Sequence, residues 1–139
     1  MSGKVRGIDH IGITVPDIEA ATRFLREAFD AAIVYDTVTD GQPYRSPEDL
    51  AATVALEKEQ RIVATHMIRL GESANIELFE IDGAGPSVDG IGALGLQHFA
   101  VYCDDIAPVL DRVSSTNSSM LEASRLVVLM VNFGEAVCA

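Results

Sequence analysis

Apolar and polar residues alternate with a period of two in Ile8-Asp9-His10-Ile11-Gly12-Ile13-Thr14-Val15, and again in Leu96-Gln97-His98-Phe99-Ala100-Val101-Tyr102-Cys103. Such alternation describes a strand with one apolar face. Each stretch then meets an aspartate, Asp17 or Asp105, followed by apolar residues at helical spacing. An aspartate there accepts the first free N–H groups of a helix. The first copy predicts a strand over 7–15 and a helix over about 18–30, with Ile18, Ala21, Leu25, Ala28 and Phe29 as its core stripe. Ala31 to Asp36 reads as a short strand, and Thr37 to Tyr44, with Asp40-Gly41 and Pro43, as a loop. Ser46-Pro47-Glu48-Asp49 has the form of a helix start, so Pro47 to about Glu59 is predicted helical. This insert would either cover the mouth of a cleft as a lid or serve as a surface connection.

Arg61 to Leu70 and Asn75 to Ile81 alternate on either side of Gly71-Glu72-Ser73-Ala74 and predict a hairpin. Glu77, Phe79 and Ile81 share one face of its second strand, while Ile76, Leu78 and Glu80 share the other. A carboxylate inside an apolar strand costs desolvation energy unless it has a partner. Glu77 is therefore a candidate functional residue, and one of Glu77 and Glu80 is expected to be an outward-facing, solvated side chain. Residues 83–95 are rich in glycine and form a natural linker, so the chain divides into 1–82, with the insert at about 40–60, and 96–139.

The two strand–helix units lie 88 residues apart (98 less 10), and that offset superposes His10 on His98, Asp17 on Asp105 and Ile18 on Ile106. In each unit the histidine is on the strand face opposite the Ile/Val or Phe/Val face. Two modules related by a pseudo-two-fold axis would bring these histidines towards one shared cleft; the alternative is a hydrogen-bonded histidine inside each sheet. After Ser114 the repeat fails, and the tail offers one apolar run, Leu126 to Val131. The counterpart of Glu77 in the second unit would fall beyond Ala139, so the second module is incomplete.

The 139 residues carry 48% hydrophobic and 22% charged side chains, as in a soluble globular domain. A net charge of −11 argues against nucleic acid or an anionic membrane as partner. No apolar run reaches the length of a membrane span and the N-terminus lacks a signal-peptide core, so a cytoplasmic location is expected. Cys103 and Cys138 show no metal-binding or redox spacing and read as ordinary thiols.

Three segments together resemble the vicinal oxygen chelate superfamily, which includes glyoxalase I, methylmalonyl-CoA epimerase, extradiol dioxygenases and the bleomycin-resistance proteins. They are Ile8 to Ile18, Asn75-Ile76-Glu77-Leu78-Phe79-Glu80, and Gly95-Leu96-Gln97-His98-Phe99-Ala100-Val101, and the resemblance spans residues 5 to about 113. It implies an α+β fold in which paired βαβββ modules form a U-shaped mixed sheet around a cleft. It further implies a divalent metal (Zn, Ni, Co, Mn or Fe) held by His10, Glu77 and His98, with Glu77 also serving as the catalytic base. The fourth ligand of the family has no match; Glu135 is the one late candidate. The presence of Glu77 places the resemblance nearest the glyoxalase and epimerase branch.

A site of two imidazoles and one carboxylate leaves room for a substrate with two adjacent oxygens, whose enediolate or enolate the metal would stabilise. The resemblance thus implies a metal-dependent lyase or isomerase acting on a small oxygenated metabolite. The alternatives are a non-catalytic ligand-binding protein of the resistance type, an extradiol-dioxygenase-like oxygenase, and a truncated or frame-changed product that keeps an inherited site. His66 reads as a structural histidine. Unpaired strand edges in an incomplete second module predict a homodimer, with the site completed across its interface.

Overall fold

The computed structural model describes residues 5–38, 56–86, 92, 94, 98–116 and 127–132. In chain order the elements are β1 (His10–Thr14), α1 (Ile18–Phe29), β2 (Ala32–Val38), β3 (Arg61–Arg69), β4 (Asn75–Asp82), β5 (His98–Cys103), α2 (Ile106–Ser115) and β6 (Val127–Asn132). The first five make one βαβββ module. The last three repeat its opening strand and helix and add one strand, so the fold is α+β with an incomplete second module.

The first module is a four-stranded sheet in the order β1-β4-β3-β2. β1 runs parallel to β4, while β3 pairs antiparallel with both β4 and β2. α1 covers one face. Its start is fixed as the sequence predicts, by Asp17, whose Oδ1 accepts the Ala20 N–H at 2.9 Å. It stops at Asp30, which sits in the left-handed region at φ 55° and donates its N–H to the Arg26 carbonyl. The buried side of α1 is Ile18, Ala21, Thr22, Phe24, Leu25 and Ala28; Phe29, expected in the stripe, is half-buried and meets Phe24 edge-on. Beneath it lie Ile13, Ile68, Ile76 and Leu78. Each side chain of this size buried away from water contributes about 1.5–3 kcal/mol, which makes this layer the main source of stability.

β1 is shorter than the expected 7–15, because Gly7 and Ile8 precede the sheet and Ile8 is exposed. β2 runs past the predicted end at Asp36, because Thr37 and Val38 still have partners in Thr65 and Ala64 of β3. The hairpin between β3 and β4 forms where the sequence places it, with Gly71 at φ 53° and the Ser73 hydroxyl donating to the Leu70 carbonyl. The helix predicted from Pro47 does not reach Glu59: Leu56 to Gln60 form a turn in which the Gln60 N–H donates to the Glu57 carbonyl. The rest of that helix and the lid built on it fall outside the described residues.

β5 and β6 form a separate two-stranded parallel sheet. α2 starts at Asp105, whose Oδ1 accepts the Ala107 N–H at 3.0 Å, and Pro108 is tolerated because it lies in the first turn. α2 packs against α1, and Arg112 Nε donates to the Ala28 carbonyl at 3.0 Å. A cation at the last turn of a helix answers carbonyls that have no partner within it. Among the described residues no helix is long and apolar enough to cross a membrane.

Candidate metal centre

The strand pairings sort side chains onto two faces. His10, Gly12 and Thr14 of β1 align with Asn75, Glu77 and Phe79 of β4 on the face away from α1, while Ile11 and Ile13 align with Ile76 and Leu78 under the helix. Across the next strand, Glu77 stands opposite Met67, and Met67 opposite Tyr35. Gly12, Glu77, Met67 and Tyr35 thus form one row across the open face. A Cβ on Gly12 would meet the Phe79 ring at 3.3 Å, close enough that the ring would have to shift by a few tenths of an ångström.

His10 and Glu77 are brought together as the sequence predicts. His10 Nε2 lies 3.3 Å from Glu77 Oε2, and Nδ1 of the same ring lies 2.8 Å from Asp9 Oδ2. The hydrogen bond to Asp9 raises the His10 pKa above its ordinary 6.5; partial burial opposes it, and the charges of Glu77 and Asp9 reinforce it. The Glu77 side chain is 19% exposed and its other oxygen, Oε1, accepts the Tyr35 hydroxyl at 3.1 Å. Asp9 and Tyr35 were not singled out by the sequence. Asp9 carried a signal in its place directly before a candidate ligand, because a carboxylate on the far nitrogen orients a metal-binding imidazole. Tyr35 carried none.

The two glutamates of β4 depart from expectation, since neither is a solvated, outward-facing side chain. Glu80, on the helix face, accepts the Ile18 N–H at 2.9 Å through Oε2 and so places a carboxylate at the N-terminus of α1. His66 is structural, as expected: it is 1% exposed, and Nδ1 shares a 2.7 Å hydrogen bond with the Thr22 hydroxyl. Its Nε2 has no hydrogen-bond partner and lies 3.7 Å from Glu19 Oε1, beyond hydrogen-bond reach.

His98 opens β5 and is exposed, but it does not join the other two: among the described residues no three His, Cys, Asp or Glu side chains converge as a metal site. Among the described residues the second sheet offers no counterpart of Glu77. Ala100, the counterpart of Gly12, pairs with Leu129, just as Gly12 pairs with Glu77. β6 therefore takes the place of β4 beside β5, and the position equivalent to Glu77 is a leucine. Glu135 lies outside the described residues.

Among the described residues β1 and β4 supply two donors of the kinds a divalent ion takes, and no third joins them. A neutral imidazole nitrogen and a carboxylate oxygen on neighbouring strands suit Zn, Ni, Co, Mn or Fe, and a second carboxylate already holds the ring from behind.

The sequence model described as Glyoxalase/Bleomycin resistance protein/Dioxygenase superfamily matches residues 7–125. No curated protein matches. Among solved structures, a glyoxylase/bleomycin resistance protein/dioxygenase domain from Frankia sp. EAN1pec is 19% identical, covering 81% of this chain and 71% of its own, with a TM-score of 0.51. A variant of glyoxalase I from Zea mays is 16% identical with a TM-score of 0.52, and 78% of this chain aligns with 32% of its length. A fosfomycin resistance protein from Listeria monocytogenes, complexed with Mn(II) and 1S,2S-dihydroxypropylphosphonic acid, is 15% identical over 81% of this chain and 70% of its own, with a TM-score of 0.49. At these identities the likeness is one of fold.

Proposed function

The chain belongs to the glyoxalase/bleomycin resistance protein/dioxygenase superfamily, and from that premise we propose that it is a metal-dependent lyase or isomerase of glyoxalase or epimerase type. Its substrate is a small metabolite with two adjacent oxygens. The observation that carries this reading is the pair of His10 Nε2 and Glu77 Oε2, 3.3 Å apart on adjacent strands, with Asp9 bonded to the far nitrogen of the ring.

His10 would hold the ion through Nε2 and Glu77 through Oε2; His98, the third donor that the family resemblance implies, stands apart from them here and would serve from a second copy of the chain. When bound, a divalent ion supplies Lewis acidity that makes the C–H beside the substrate oxygens easier to ionise. The remaining work falls to side chains of this chain. Asp9 keeps Nε2 aimed at the site by fixing the ring at Nδ1. Glu77 is the carboxylate placed to take the proton from the carbon and return it to a neighbouring one, which is an isomerisation with a single base. Met67 and Phe79 flank Glu77 on the same face and keep water from that carbon.

A specific observation favours a second reading. Leu129 at the register position of Glu77 removes a donor from the second module, which suits a protein that binds and sequesters a ligand without turning it over. A homodimer is the third part of the proposal: among the described residues β1 lies at a sheet edge, where a second copy could pair and supply a further donor. The deciding experiment is turnover of a thiol hemiacetal and of an acyl-CoA by protein loaded with Co or Zn. Turnover that Glu77→Ala abolishes supports the enzyme. Ligand binding with no turnover supports the sequestering protein, and a monomer by sedimentation counts against the dimer.

A further inference from the structure

The two oxygens of Glu77 have different surroundings: Oε1 accepts the Tyr35 hydroxyl at 3.1 Å, while Oε2 stands 3.3 Å from His10 Nε2. We propose that Tyr35 is a positioning residue for Glu77, holding Oε1 so that the carboxylate presents Oε2 alone to the site. The consequence for binding rests on the metal reading above: Glu77 enters the coordination sphere through one oxygen, leaving a position for a second substrate oxygen.

The backbone argues that this contact is built. Tyr35 lies on β2, at the far edge of the sheet from β1. Ile33 pairs with Ile68, whose side chain is under α1, and strict alternation from Ile33 would put Tyr35 on that same covered face. A register shift between Ile33 and Tyr35 inserts Val34 as an extra residue. Tyr35 then pairs with Met67 and enters the row of Glu77. Bulges of this kind re-aim a side chain, and they recur beside functional sites. The strand of Met67 lies between β2 and β4, and neighbouring strands are about 4.8 Å apart, so the contact needs a long side chain with a polar tip. Tyrosine supplies both, at the rim of the open face, where it is 42% exposed.

The test compares Tyr35→Phe with the wild-type full chain, first by Co(II) titration followed in the visible spectrum. Loss of an outer-sphere hydrogen bond to a ligand lowers affinity by about tenfold or more. Tyr35→Phe is expected to bind Co(II) about tenfold more weakly, with weaker absorption bands as the released carboxylate coordinates through both oxygens. The melting midpoint should stay near that of wild type, because the ring remains. Equal affinity and an identical spectrum in the two proteins would overturn the proposal. A second arm needs no metal: the carboxyl ¹³C resonance of Glu77, identified by its loss in Glu77→Gln, is expected to move in Tyr35→Phe. If wild type takes up no Co(II), the metal reading fails and this arm alone decides, an unmoved resonance then overturning the role of Tyr35.

Discussion

The two parallel strand pairs, β1 with β4 and β5 with β6, begin alike: a histidine opens the first strand, and an aspartate-capped helix follows it. They part where the partner strand answers the third residue. Gly12 stands opposite Glu77, and Ala100 opposite Leu129. Parallel pairing is made by backbone N–H and C=O groups, which are indifferent to the side chain at any one position. The frame of a repeat can therefore recur while the residue facing its third position differs, glutamate in one half and leucine in the other. Core formation separates the halves in the same way. Among the described residues the first module buries a layer of side chains between α1 and its sheet, whereas α2 buries Val109 and packs Val113 against that same layer. The first module brings His10 and Glu77 together, while His98 of the second does not join them.

The largest effect that would break the symmetry of the halves is on stability. Ile68→Ala, at 0% exposure in the centre of the first sheet, should cost about 3 kcal/mol, within the 2–5 kcal/mol seen for such truncations. Val109→Ala removes less buried surface and should cost about 1 kcal/mol. Urea unfolding of the two variants measures the difference, and equal losses would mean that both modules share one core. Restoring chemistry to the second half comes next in size. Leu129→Glu places a carboxylate at the register position of Glu77 and should tighten Co(II) binding about tenfold, equivalent to about 1.4 kcal/mol; titration calorimetry reads it, and unchanged affinity would show that β6 does not stand where β4 stands. The caps should then behave alike: Asp17→Ala and Asp105→Ala each remove one acceptor from a helix start and should each cost about 1 kcal/mol.

The smallest effect is on pH dependence, and it belongs to the first module. The His10 pKa is raised in the folded chain, so the protonated ring favours the fold. That contribution is complete below the ordinary value of 6.5 and is lost as pH rises through the raised one. His10 is well exposed, so solvent screening keeps the change in melting midpoint small. Metal affinity moves the other way. A proton and a metal compete for Nε2, so affinity should rise with pH across the same window, by at most tenfold per unit. Asp9→Asn should shift that rise to lower pH, as followed by Co(II) titration at several pH values.

Much of the first module was legible because its signals are local. The alternation at Ile8 to Val15, the cap at Asp17 and the stripe at Ile18, Ala21, Leu25 and Ala28 each need only a few neighbouring residues; the structure places the cap and the stripe as read and confines the strand to His10–Thr14. His10 and Glu77 were legible as a pair through the family resemblance, and alternation assigned each of them a strand face. Tyr35 was not, because one inserted residue at Val34 reverses the alternation, and a bulge has no signature in residue types. One of Glu77 and Glu80 is expected from the alternation to be solvated, and neither is; the partner of Glu80, the Ile18 N–H, is a backbone group 62 positions away that no side-chain pattern records. Leu129 was hidden in a uniformly apolar run, where the register with β5, and not the residue type, gives it meaning. His98 was found through the repeat, yet a repeat in sequence does not bring two strands into one site.

The central claim is that His10 and Glu77 hold a divalent ion, and titration calorimetry of Co(II) into the wild-type, Glu77→Gln and His98→Ala proteins tests it most directly. The account predicts close to one ion per chain for wild type, an affinity lower by at least about a hundredfold in Glu77→Gln, and a measurable loss in His98→Ala. Wild-type protein that takes up no Co(II), or a Glu77→Gln variant that binds it as tightly as wild type, would contradict it.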